Sequence, residues 1–101
     1  MILARAIFQA KFGKADDVVM AIKTMGQDLS DELIESLQPR ILTDISGSFD
    51  TVVLETTHES LAALEEFRKA MFARSEASDD PSPLAELVVS GRNEYYTIEA
   101  L

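Results

Sequence analysis

The strongest constraint on this chain is the order in which two kinds of hydrophobic period follow one another. In residues 2–11, Ala4, Ala6, Phe8 and Ala10 share one parity and Leu3, Arg5, Ile7 and Gln9 the other. That is the two-residue period of a strand with one apolar face and one mixed face. Gly13 closes the strand, and residues 14–37 change to helical spacing, with Val18, Ile22, Met25, Leu29, Leu33 and Leu37 in one stripe. Asp16 and Asp17 sit in its first turn, where the helix dipole favours anions, and Gly26 weakens its middle and marks a place for a bend.

Pro39 ends the helix. Residues 40–46 and 51–57 read as two strands joined by the hairpin loop Gly47, Ser48, Phe49, Asp50. Ser60 is placed to cap a second helix, whose apolar stripe is Leu61, Leu64, Phe67, Met71 and Phe72. Residues 75–83, rich in Ser, Asp and Pro, read as the clearest loop and the place for first proteolytic nicking. Residues 84–90 read as a short helix stopped by Gly91, and residues 92–100 as the last strand.

Strand, helix, strand, strand, helix, strand is the split pattern of ferredoxin-like α+β domains. Right-handed crossovers then put both helices on one face of a four-stranded antiparallel sheet, with residues 1–101 forming one domain. Parity assigns Ala4, Ala6, Phe8, Val52, Leu54, Tyr96 and Ile98 to the helix side, and Leu3, Arg5, Ile7, Gln9, Val53, Glu55, Tyr95, Thr97 and Glu99 to the other. An uncovered sheet face holding large apolar groups usually marks an interface. A homodimer through Leu3, Arg5, Ile7, Val53, Glu55 and Tyr95 is therefore expected.

Composition removes several function classes. There is no cysteine, which excludes disulfides and thiolate chemistry and leans toward a cytoplasmic location. A net charge of −9, with 18 acids against 9 bases and no basic cluster, disfavours nucleic acid and anionic membrane as partners. No apolar run reaches membrane-spanning length, and Arg5, Gln9 and Lys11 interrupt the apolar start too often for a signal peptide. With a single histidine, no histidine-rich metal site is expected.

The run from Phe8 to Lys14, the segment from Arg40 to Gly47, Thr51 to Glu55 and the closing Ser90 to Tyr96 resemble the dimeric α/β-barrel superfamily, and within it NIPSNAP-type proteins most of all. The resemblance spans nearly the whole chain. It implies two four-stranded sheets packed face to face in a dimer. About chemistry it implies little, since superfamily members include cofactor-free monooxygenases, heme-degrading enzymes, isomerases and proteins without known activity. Where the family's first motif usually has Tyr and Pro, this chain has Phe8 and Phe12, so a role resting on that hydroxyl does not carry over. The heme-degrading route is disfavoured because the chain has no tryptophan and no histidine along its second helix.

The residues that chemistry could use are few. His58, Tyr96 and Arg40 are the candidate catalytic groups, and Phe8, Leu54 and Tyr96 the candidate ligand-binding ones. Each has a plainer reading: His58 as a solvent-facing residue near a helix start, Tyr95 and Tyr96 as packing residues on opposite faces, Arg5 and Glu55 as an ion pair across the sheet. Two functions stay open. One is a small dimeric protein that binds an apolar or aromatic molecule, or nothing, without catalysis and without a cofactor. The other is a cofactor-independent monooxygenase or isomerase, which would need at least two of His58, Tyr96 and Arg40 at one cavity beside Phe8 and Leu54.

Overall fold

In the computed structural model, which describes residues 1–47, 49–77 and 82–101, the chain forms four strands and three helices in the order β1 (Ile2–Ala10), α1 (Ala15–Gly26), α2 (Asp31–Leu37), β2 (Arg40–Thr43), β3 (Thr51–His58), α3 (Leu61–Ala77) and β4 (Val88–Thr97). The strands make one antiparallel sheet in the order β2-β3-β1-β4, with the helices on one face. This is the ferredoxin-like arrangement expected from the periods.

The core lies between the sheet and α1. Val18 and Val52 are fully buried, and with Ala10 and Ile22 they form its centre. Phe8, Ile41 and Leu54 pack against this group from the sheet, and Leu84 and Leu87 from the segment before β4.

The first helix is not continuous over residues 14–37. Ser30 adopts an extended backbone and its Oγ accepts from Leu33 N at 3.2 Å, so a new helix starts there, with Asp31 and Glu32 in its first turn. Gly26 ends α1, and Gln38, at φ 47°, ends α2 in the left-handed region usually given to glycine. The start of α1 is capped from a distance. Lys14 supplies no side-chain cap, and Asp50, in the β2–β3 connection, accepts instead from Gly13 N at 2.9 Å and Ala15 N at 3.3 Å.

The β2–β3 connection has its own fixed geometry. Asp44 Oδ1 accepts from Ser46 N and Gly47 N, and these two bonds hold its carboxyl below the usual carboxylate range. A Cβ on Gly47 would stand 2.6 Å from Asp44 Oδ2, so a larger residue there would displace the Asp44 carboxylate from these bonds.

Three other expectations fail locally. Residues 84–90 do not form a helix: turns run through Leu87, and β4 starts at Val88, where two β-branched valines suit a strand. Gly91 is therefore a strand residue opposite Phe8, not a helix stop. Residues 75–77 of the expected loop belong to α3; part of the rest, 78–81, lies outside the described residues. The apolar stripe of α3 is only partly covered, with Leu64 buried and Leu61 and Phe72 exposed. Its cap is as read, with Ser60 Oγ accepting from Ala63 N at 3.1 Å.

Candidate functional site

Strand register decides which side chains meet the helices. Ala6 pairs with Leu54, Phe8 with Val52 and Ala4 with Tyr95. Residues opposite one another in an antiparallel pair share a face, so Tyr95 lies on the helix side. Tyr96, opposite Leu3, lies on the open side. This inverts the expected placement of both tyrosines. Tyr95 leaves the set of interface residues and Tyr96 leaves the ligand cleft. Arg68, from α3, donates to the Tyr95 hydroxyl across the smaller hollow beneath that helix, and its guanidinium carbon is 5.7 Å from the ring centroid.

Two of the hollows on the helix side adjoin the sheet. The larger, about 470 Å3, is a half-open cleft bordered by β2, β3, Phe8 and the helices α1 and α2. Its wall is apolar, built mainly from Phe8, Ile22, Met25, Ile34, Ile41 and Leu54, and its polar groups are Lys23, Gln27 and Thr56. The break at Gly26 helps open it, because α2 turns away where a continuous helix would have run on, and Gly26 and Leu29 line the gap. The smaller, about 120 Å3, lies under α3 between Leu64, Arg68, Asn93 and Tyr95.

The three candidate catalytic groups do not converge. His58 is on the helix side but under α3, 5% exposed, its ring 5.4 Å from that of Phe67. The expectation of a solvent-facing His58 is corrected. β3 runs on through residue 58, so its side chain keeps the inward parity of Val52, Leu54 and Thr56. Burial disfavours the charged ring and lowers the His58 pKa. His58 Nε2 and Thr56 Oγ1 share a hydrogen bond of 2.9 Å. Tyr96 and Arg40 are on the other side of the sheet. None of the three lines the larger hollow, whereas Phe8 and Leu54 do.

Arg40 has a different setting. Arg40, Glu55, Arg5 and Glu94 face one another in register, one from each strand, so charge alternates across the whole sheet. Arg40 Nη2 donates to Glu55 Oε1 at 2.5 Å, and Arg5 Nη1 to Glu94 Oε1 at 3.1 Å. Arg5 Nε is 3.1 Å from Glu55 Oε2, in ion-pair range but without hydrogen-bond geometry. Glu55 is 6% exposed. The expected pair of Arg5 and Glu55 is thus part of a longer row. Around it lie Leu3, Ile7, Val53, Leu42 and Tyr96. Ile7 and Val53 are already buried within one chain, which leaves Leu42 and Tyr96, 38% and 48% exposed, as the large apolar groups that face water.

Among the described residues, no group of three or more His, Asp or Glu is placed to hold a metal ion, and no helix is long and apolar enough to cross a membrane.

Similarity to solved structures is extensive in shape and low in sequence. A NIPSNAP-domain protein of Burkholderia xenovorans superposes with a TM-score of 0.61 at 18% identity, over 99% of this chain and 96% of its own. A NIPSNAP-family protein of Agrobacterium tumefaciens gives 0.63 at 17%, over 95% and 90%. The fold is the one that NIPSNAP-type proteins have. A Bacillus cereus protein, a candidate antibiotic biosynthesis monooxygenase, shares it too, with a TM-score of 0.57 at 17% identity over 99% and 94%. No family model and no curated protein matches the sequence. The NIPSNAP-type resemblance read from the short motifs therefore holds at the level of fold.

Lys23, Thr56, Arg68, Asn93 and Leu42 were not singled out by the sequence. Thr56 could have been, since it shares the parity of Leu54. The others depend on which face of a helix or strand meets a hollow or the open side, which needs the register.

Proposed function

We propose that this chain is a homodimeric binding protein for a small apolar or aromatic molecule, held between the sheet and α1–α2, with no catalytic role of its own. The observation that carries this reading is the larger hollow. Its volume of about 470 Å3 lies within the range of roughly 300–1,000 Å3 usual for ligand pockets, and its wall is apolar with three polar groups. The dimer would form through the open side, where the charged row is already paired within one chain and Leu42 and Tyr96 are available for burial.

An enzyme on the monooxygenase pattern would need a general base or acid at the ligand. Among the described residues the only titratable side chain lining the larger hollow is Lys23, on an exposed stretch of α1, and His58, Tyr96 and Arg40 lie elsewhere. This favours binding over catalysis.

The reading is tested by filling the hollow. Calorimetry with 2-naphthalenemethanol should show binding to the native chain. Leu54→Trp, which adds an indole to the wall, should weaken it by about tenfold or more while leaving the circular dichroism unchanged. Equal binding by the folded variant would place the ligand elsewhere.

A further inference from the structure

The two hollows share a wall. Leu54 and Thr56 line both, so the hollows adjoin along β3. The two ends differ in chemistry: the larger is apolar, and the smaller ends on Arg68, Asn93 and Tyr95.

Charge sharpens the contrast. Acids outnumber bases 18 to 9 in this chain, yet among the described residues no acid lines either hollow. Five ion pairs outside the Arg5–Glu55 and Arg5–Glu94 contacts occupy Lys14, Arg40, Lys69, Arg74 and Arg92, and among the described residues Arg68 has no carboxylate partner. Arg68 contacts the Tyr95 hydroxyl and ring, which use one of its five N–H donors and leave the others available. An arginine that is positioned but not neutralised, in a chain with so many acids, suits recognition of an anion.

We infer that the ligand is an amphipathic acid, with an aromatic or aliphatic body in the larger hollow and a carboxylate at Arg68. This rests on the larger hollow being a ligand site. Thr56, whose hydroxyl is hydrogen-bonded to His58, stands where the two hollows adjoin, and Asn93 offers a second donor. Among the described residues two other cations line the hollows: Arg5, which is already paired with Glu55 and Glu94, and Lys23, the competing anchor for an anion. It lines the larger hollow, but no side-chain hydrogen bond or ion pair among the described residues fixes it, so it would lose more freedom on binding.

The experiment uses a charged and a neutral naphthalene compound, 2-naphthoate and 2-naphthalenemethanol, in calorimetric titrations of the native chain and of Arg68→Gln, Arg68→Lys and Lys23→Gln. Arg68 is solvent-exposed, and screening keeps its expected effect moderate. The native chain should bind naphthoate about tenfold more tightly than the alcohol. Arg68→Gln should remove that preference by weakening naphthoate binding far more than binding of the alcohol, Arg68→Lys should restore part of it, and Lys23→Gln should leave it intact. Equal affinity for the two compounds, or a preference lost in Lys23→Gln and kept in Arg68→Gln, overturns the inference while leaving the hollow as a site. Binding of neither compound overturns the site itself.

Discussion

Replacing Leu42 by Asp is expected to convert a dimer into a monomer. At micromolar concentration the native chain should sediment at about twice its 11.1 kDa mass, and Leu42→Asp at the mass of one chain. Leu42 sits opposite Val53 on the open side of the sheet and is 38% exposed, so a single chain tolerates a polar group there. In a face-to-face dimer the same carboxylate would be buried without a partner, at a cost of several kcal/mol, which weakens association by about a hundredfold or more. Ile7 would be a poorer choice. It is already 7% exposed in one chain, so a charge there would also damage the monomer. A native chain that sediments as a monomer, or a Leu42→Asp variant that stays dimeric, removes the open side from the interface.

His58→Ala should lower stability by about 2 kcal/mol, through loss of a buried ring that packs on Phe67 and bonds Thr56. In a domain of this size that corresponds to a fall of roughly 10 °C in Tm. A pH dependence accompanies it. Burial lowers the His58 pKa in the folded state, while the unfolded chain keeps a value near the ordinary ~6.5. The unfolded state therefore binds more protons below that value. The contribution of neutral His58 is fully present above pH ~6.5 and is lost as pH falls toward its lowered folded value. Thermal melts of the native chain and of His58→Leu should diverge between about pH 7.5 and 5.5, with the native chain losing more. Parallel curves, or a His58→Ala variant as stable as the native chain, would mean that the ring is solvated.

The places where sequence and structure part have one cause in common. Periodicity shows that a segment is a strand and which residues share a face, but not which of its two faces meets the helices. For β1 and β3 the apolar parity settles that question, since Ala4, Ala6, Phe8, Val52 and Leu54 outweigh the mixed set. β4 has no such imbalance. Tyr95 and Tyr96 are equally amphipathic, and only pairing with Ala4 and Leu3 decides between them. A slip of one residue exchanges the faces of a whole strand, and β4 starts earlier than its sequence suggests and carries a register shift opposite Gln9 and Ala10.

His58 was misplaced for a related reason. Sequence periodicity ends the strand at residue 57 and puts His58 near a helix start, whereas β3 runs on through it and keeps the inward parity of Val52, Leu54 and Thr56. The transverse row of Arg40, Glu55, Arg5 and Glu94 was legible only as its central pair, because the partners on β2 and β4 require the sheet order β2-β3-β1-β4. The larger hollow was legible through Phe8 and Leu54 alone. The rest of its wall depends on the break after Gly26 and the new start at Ser30, which turn one expected helix into two.

Whether the larger hollow is a ligand site is tested most directly by amide NMR of isotope-labelled protein titrated with 2-naphthalenemethanol. Shift changes are expected at Phe8, Ile22, Gly26, Ile41, Leu54 and Thr56, with Ile7, Gln9, Leu42 and Arg92 on the open side unmoved. Changes centred on those open-side residues, or no change at any amide up to the solubility of the compound, would contradict it.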